Sequence, residues 1–376
     1  MKTVGIICEY NPLHLGHEKQ LQWLKAQGHR VVCIMSGNYV QRGQPAILDK
    51  GLRARAAVTC GADLVLELPL TAAVSSAERF AAEGVRLLAP ICDGICFGAE
   101  NADREHLMAV AKALLSEDFS AALRLELDKG LSFPGARQKA LQTMGLDGAL
   151  LETPNNILAV EYCKAITAQG LKMEPMPIHR GGDYHAQTPD PENPSATAVR
   201  GRMGEGTWQE YVPTAVREIY QNATLHTLAA GERAVLCKLR TMTDEEFEAL
   251  PYGSEGLWRK LMHAAREQAT LEQIATAVKS KRYTRSRIDR MILCAFLGLS
   301  EQDLTVPSPY ARVLAFNDEG RNILKIAKDL GHYPNIGEKI DHPYQKMEDR
   351  AEALYGLFAQ TTPEAPTPNH RIYYAK

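Results

Sequence analysis

The sequence has no apolar run approaching the roughly 20 residues that a bilayer-spanning helix needs, which argues against a helical membrane protein. It opens directly into an apolar, β-branched run, without the charged region, apolar stretch and small-residue cleavage site of a secretory signal. Its eight cysteines are scattered; Cys92 and Cys96 lie closest, and no second pair answers them at zinc-site spacing. Reduced thiols embedded in the core of a cytoplasmic protein are the expectation. Neither sign of charge dominates: the formal net charge is −2, so any polyanion site must be a local patch. No internal repeat or low-complexity segment stands out, and the Pro/Thr-rich stretch 361–368 reads as a surface loop or tail. What remains is an ordinary globular composition, 45% hydrophobic and 23% charged, over 376 residues, enough for about two domains.

Apolar runs alternate with helix-length segments through the first half. Residues 3–8 read as a buried strand, Pro12 as a turn, and Leu15, Leu21, Trp23 and Leu24 as a helix closing at Gly28. Further strands are expected at 30–35, 63–68, 94–98 and 176–180, with helices near 48–60 and 76–88 between them. This alternation implies βαβ units and a parallel sheet with right-handed crossovers. The expected fold class is α/β: a Rossmann-like parallel sheet over 1–205 with a helical insertion around 101–145. Beyond Met203 the text turns helical and charged without sheet signals, so 206–376 is expected to be a mostly helical C-terminal domain.

Parallel sheets bind ligands at the carboxyl ends of their strands, where His14, His17, Ser36-Gly37-Asn38 and Gly98 all fall. The stretch "EYNPLHLGH" at 9–17 puts two imidazoles at a helix entrance, where backbone N–H groups and the helix dipole favour an anion. Gly16 removes a side chain where a nucleotide would approach the backbone. His-x-Gly-His at such a turn resembles the signature of the nucleotidylyltransferase superfamily. That resemblance implies a bound nucleoside triphosphate attacked at its α-phosphorus, with His14 and His17 donating to the charge that develops on phosphate oxygens. It also implies that a late Ser/Thr-rich turn ending in Arg holds the outer phosphates; Ser195, Thr197 and Arg200 match it.

The ordered set "GIICEYNPLHLGH", "MSGNYVQRGQPA", "GADLVLELP", "CFGAE", "PNNILAVEY" and "SKRYTRSRIDRMIL" resembles the bacterial tRNA(Met) cytidine acetate ligase family over nearly the whole chain. The resemblance implies that ATP and acetate give acetyladenylate, which acetylates N4 of the wobble cytidine of elongator tRNA(Met). It implies an ATP-binding stretch of Ile7, Cys8, Glu9, Tyr10, Asn11, Pro12, Leu13, His14, Leu15, Gly16, His17, Glu18, Lys19 and Gln20. Further ATP contacts are implied at Gly98, at Asn155 or Asn156, and at Arg180. Mg²⁺ is expected on the triphosphate rather than in a protein cage. Acetate is already an anion at neutral pH, so activation needs no general base. No coenzyme A site is recognisable, and neither DNA nor a membrane is an expected partner. A small-molecule adenylyltransferase and a non-catalytic RNA-binding protein stand as alternatives.

Lys279, Lys281, Arg282, Arg285, Arg287 and Arg290 form a cationic run around Tyr283, with Asp289 as the one opposing charge, leading into the apolar 291–297. Such a stripe can neutralise RNA phosphates, and a tyrosine among arginines can stack a splayed base. Gln41-Arg42-Gly43 either reaches the phosphates or the tRNA end, or only shapes a loop. Glu67 reads as a strand-end charge rather than a buried carboxylate, His179 as structural, Trp23 as core, and His185 as a loop residue without a ligand role.

Overall fold

The computed structural model describes residues 1–180, 190, 194–330, 332–361 and 371–375. The five apolar runs of the first half become parallel strands: β1 Thr3–Cys8, β2 Arg30–Ser36, β3 Leu64–Leu68, β4 Gly94–Ala99 and β5 Glu174–His179. The helices that fix the site are α1 Leu15–Ala26, α2 Lys50–Thr59, α3 Ala77–Leu88, α4 Pro154–Ala168, α5 Ala196–Glu205, α6 Arg285–Leu297 and α7 Pro343–Tyr355. Three more, Arg104–Ala113, Glu117–Asp128 and Phe133–Thr143, occupy the expected insertion. Among the described residues no helix is long and apolar enough to cross a membrane.

Two later strands, β6 Val313–Phe316 and β7 Tyr373–Tyr374, extend the sheet to seven in the order β5-β4-β1-β2-β3-β6-β7. The text after Met203 therefore does contain sheet strands, against expectation. β6 runs antiparallel to β3, and a strand that short is defined by its partner rather than by its own pattern.

Each central strand is buried on both faces, as parallel strands under helices must be. In β2, Val32 and Ile34 face one core while Val31, Cys33 and Met35 face the other. The second core also takes Trp208, Tyr211, Val216 and Tyr220 from beyond Met203. A third core, built on Leu239, Phe247, Leu261, Leu293 and Phe358, holds the C-terminal helices together and includes Tyr39 and Val74. On α1 the buried face is Leu21 and Leu24. Trp23 lies about 100° round from Leu24 and is 42% exposed, so it is not core.

Strand order reverses at β1. Its pairing with β2 runs from Thr3 to Cys8, whereas its pairing with β4 is confined to Val4–Gly94 and Gly5–Ile95. The carboxyl ends of β1 and β4 are thus free to diverge, which is the topological switch point where open α/β sheets accept ligands.

Two buried cations brace the strand ends. Arg53 of α2 is fully buried and donates to the carbonyls of Glu9 (2.6 Å), Ser36 (3.0 Å), Leu48 (2.8 Å) and Gly37, tying the ends of β1 and β2 together. Lys50 donates to both oxygens of Glu67 at 2.9 Å and to Glu352 of α7. Glu67 is therefore a buried carboxylate in an ion pair, not the strand-end charge its position before Pro69 suggests.

Candidate active site

A cleft of about 720 Å³ opens at the switch point. Of the expected ATP-binding stretch, Ile7, Cys8, Glu9, Tyr10, Asn11, His17 and Gln20 line it. Pro12, Leu13, His14, Leu15, Gly16, Glu18 and Lys19 do not. Leu13 is fully buried and Tyr10 nearly so, in the core beneath the loop. Gly98, Asn155, Arg180, Thr197 and Arg200 complete the wall facing β1. His185 falls outside the described residues.

The two histidines cap α1 reciprocally. His14 Nδ1 accepts the N–H of Gly16 at 3.2 Å, and His17 Nδ1 accepts the N–H of His14 at 3.3 Å. This is a capping box built from imidazoles. Burial, then the neighbouring Arg180 and Arg200 guanidiniums, lowers His14 to about 3. Burial, His14 and Arg180 hold His17 well below its ordinary value. Both rings are therefore neutral at pH 7. In a neutral ring whose Nδ1 accepts a hydrogen bond, the proton sits on Nε2. Each histidine is so fixed as an Nε2–H donor. The rings stack with centroids 3.7 Å apart; His17 fronts the cleft, and His14 lies behind it with Nε2 buried and without a partner among the described residues. A Cβ on Gly16 would stand 3.2 Å from the His14 ring, so that glycine makes room for an imidazole as well as for any ligand.

Arg200 donates to the carbonyl of Asn11 at 2.7 Å and to Thr197 Oγ1 at 3.0 Å, clamping α5 to the histidine loop. Ser195 Oγ caps α5 by accepting from the N–H of Ala198 at 3.1 Å. The paired asparagines divide: Asn155 lines the cleft and accepts from Arg180 at 3.4 Å, while buried Asn156 turns away to accept from the N–H of Asn101 at 2.9 Å. His179 meets the Glu100 carbonyl at 3.1 Å and does not line the cleft.

The opposite wall comes from α6 and the loop at 41–44: Gln41, Arg42, Gln44, Thr284, Arg285, Ser286, Asp289 and Arg290. Gly43 takes φ of +77°, and a Cβ there would collide with the backbone of Arg290, so loop and helix are locked together. Sequence patterning does not reveal Thr284, Ser286 and Asp289 as cleft residues.

The cationic run is not an open stripe. Arg285 is bidentate to Glu272 (2.8 Å each) and bonded to Asp289 (2.8 Å); Arg287 donates to the carbonyl of Tyr252 (2.8 and 3.0 Å). Arg290 is buried beside Tyr252. Lys279, Lys281 and Arg282 are exposed, with Arg282 reaching Glu255 at 2.6 Å. Tyr283 is 4% exposed, with Lys260 and Arg287 over its ring and its hydroxyl donating to the carbonyl of Glu255 at 3.2 Å. It anchors the turn before α6 and offers no open face to a base, which corrects the expected stacking role.

The fold is that of an α/β nucleotidyl transferase, with a histidine capping box at its switch point. The family model described as HIGH Nucleotidyl Transferase matches residues 1–368. The tRNA(Met) cytidine acetate ligase of Caldanaerobacter subterraneus subsp. tengcongensis is 37% identical over 382 residues, covering 96% of this chain and 94% of that protein. That of Acetivibrio thermocellus is 34% identical over 364 residues, covering 89% and 88%. The crystal structure of Thermotoga maritima TmcAL (apo, form I) superimposes with a TM-score of 0.90 at 29% identity over 100% of both chains. The same protein bound with alpha-thio ATP gives 0.87, also at 29% identity over 100% of both chains. The chain belongs to the tRNA(Met) cytidine acetate ligase family.

Proposed function

We propose that this chain activates acetate with ATP and acetylates N4 of the wobble cytidine of elongator tRNA(Met). An acetate oxygen bonds to the α-phosphorus as pyrophosphate leaves; N4 then bonds to the acetyl carbon as AMP leaves and the amine loses a proton. The names of the curated relatives and the ATP analogue in the Thermotoga maritima protein support this chemistry. The observation that carries it is the imidazole pair. A buried N–H without a partner costs about 1–3 kcal/mol, and His14 Nε2 is such a donor beside the cleft. A phosphate oxygen would relieve it, and His17 Nε2–H with Arg180 and Arg200 would meet the charge that builds up as pyrophosphate departs. Mg²⁺ enters with the triphosphate as part of the substrate. The test is ATP–pyrophosphate exchange without RNA, followed by mass analysis of a tRNA(Met) transcript. Exchange should depend on acetate and the cytidine should gain one acetyl group. Exchange that acetate does not support but a mononucleotide or phosphopantetheine acceptor does would favour a small-molecule adenylyltransferase, and no exchange with any of these a non-catalytic RNA-binding protein.

The run leads from the exposed Lys279, Lys281 and Arg282 to Arg285 and Arg290 in the cleft wall, and this continuity supports a path for tRNA phosphates along it towards the cleft. Neutralising Lys279, Lys281 and Arg282 together should reduce the log–log salt slope of tRNA binding by about two to three, at roughly 0.7–0.9 per phosphate contact. Acetate-dependent exchange should be unchanged. Parallel salt slopes for wild type and variant would place the tRNA on another surface.

A further inference from the structure

Glu100, at the carboxyl end of β4, does not line the cleft, yet three donors converge on its carboxylate. Thr153 Oγ1 and the N–H of Asn156 donate to Oε2 at 2.8 Å each, and Asn155 Nδ2 donates to Oε1 at 2.7 Å. Thr153 precedes α4 but makes no side-chain cap of its own, so Glu100 supplies from another strand the anion that the helix N-terminus favours. Burial pushes the carboxyl up, but the hydrogen bonds from Thr153, Asn155 and the backbone outweigh it and hold the group below its ordinary value. Glu100 is an acceptor only.

An ionised carboxylate cannot donate, so Asn155 must turn its amide nitrogen towards Glu100. Its carbonyl oxygen then faces the cleft side, where it accepts from Arg180 Nη1 at 3.4 Å. Arg180 is also set by its backbone N–H, which donates to the carbonyl of Ala99 next to Glu100 at 2.9 Å. Two side chains that line the cleft thus take their orientation from one that does not.

We infer that Glu100 is a positioning residue of the nucleotide site, fixing the amide of Asn155 and through it the guanidinium of Arg180. This rests on the proposal that the cleft binds ATP. Glu100→Gln keeps the shape. With its carbonyl on Thr153 and Asn156, its new amide nitrogen faces Asn155 Nδ2, so Asn155 must turn over and show a donor to Arg180. Charge and acceptor can be returned one residue away: in Glu100→Gln with Asn155→Asp, the new carboxylate accepts from both the new amide and Arg180. Asn155→Asp alone sets two carboxylates against each other.

The experiment is calorimetric titration of the full chain with ATP, beside thermal melting. Glu100→Gln should weaken ATP about tenfold or more and Asn155→Asp at least as much, and the double variant should bind ATP about fivefold or more tighter than Asn155→Asp alone, which carries the same carboxylate in the cleft. A residue that merely supports the fold would not be rescued by moving the charge. Wild-type ATP affinity in folded Glu100→Gln, or a double variant no better than Asn155→Asp, overturns the proposal. If Glu100→Gln alone does not fold, the double variant decides by the same criterion. Arg180→Ala separates the two levels: its loss of ATP together with an intact Glu100→Gln sinks only the positioning role, whereas unchanged affinity in Arg180→Ala removes the ATP reading on which that role stands.

Discussion

His17→Ala should lower acetate-dependent pyrophosphate exchange by on the order of 10²–10³, the usual effect of deleting one preorganised donor to a charge-developing transition state. His17 fronts the cleft, is neutral at pH 7, and has its proton fixed on Nε2 by the N–H of His14 at Nδ1. His14 requires a different substitution, because its ring also caps α1. Alanine would remove cap and donor together, at about 1 kcal/mol for the cap alone. His14→Asn retains a cap acceptor for the N–H of Gly16 and removes the Nε2–H together with the ring stacked on His17, so its loss of exchange reports the imidazole rather than the cap. The melting temperature of His14→Asn should stay near wild type while exchange falls. Because the folded-state pKa of His14 is about 3, wild-type exchange should show no histidine titration between pH 6 and 8. Near-normal exchange in both variants would reduce the pair to a helix cap.

The sequence makes the site's location legible because strand ends are punctuated: β1, β2 and β4 are apolar runs closed by Pro, Gly or Asn, and the histidines follow at i and i+3. The ordered motifs also name the family that the relatives share. What those residues do to each other is not legible. Nothing in "HLGH" says that each Nδ1 is occupied by a backbone N–H, which decides the tautomer. Asn155 and Asn156 are identical neighbours in a string, but a helix turns them about 100° apart, one to the cleft and one to Asn101. Tyr283 among arginines looks like a stacking platform until the turn before α6 covers it. In "DKGLRARAAV" nothing marks Lys50 and Arg53 as buried; their burial depends on Glu352, nearly the whole chain away, and on carbonyls gathered from two strands. β6 is hidden for the same reason, since its partners β3 and β7 make four residues a strand.

Lys50→Ala should destabilise the protein by about 3–5 kcal/mol, the usual result of removing one partner from a buried ion pair. The ammonium lies between Glu67 of β3 and Glu352 of α7, with side-chain exposures of 5%, 11% and 16% for Lys50, Glu67 and Glu352. Taking the lysine away removes the cation that Glu67 and Glu352 share. A third carboxylate gives the deficit its pH dependence. Burial and the neighbouring Glu67 raise Glu348 to about 7, against the pull of Arg312, Tyr310 and Lys50. A carboxyl raised in the folded state contributes stability that is full below its unfolded value and is lost as pH rises through the folded one. For Glu348 that window runs from the ordinary 4.5 up to about 7. Without Lys50 the folded value moves higher, so the loss continues to higher pH. Urea unfolding of Lys50→Ala should therefore show a deficit larger at pH 8 than at pH 5.5, and Glu348→Gln in the same background should flatten that difference. Because α7 is joined to the strand end through this lysine, the variant should also loosen the C-terminal helices against the sheet, raising amide exchange around Glu352 before global unfolding. A variant within about 1 kcal/mol of wild type at both pH values would mean that the three carboxylates are neutralised without Lys50, and that the sheet and the C-terminal helices are held by their apolar contacts alone.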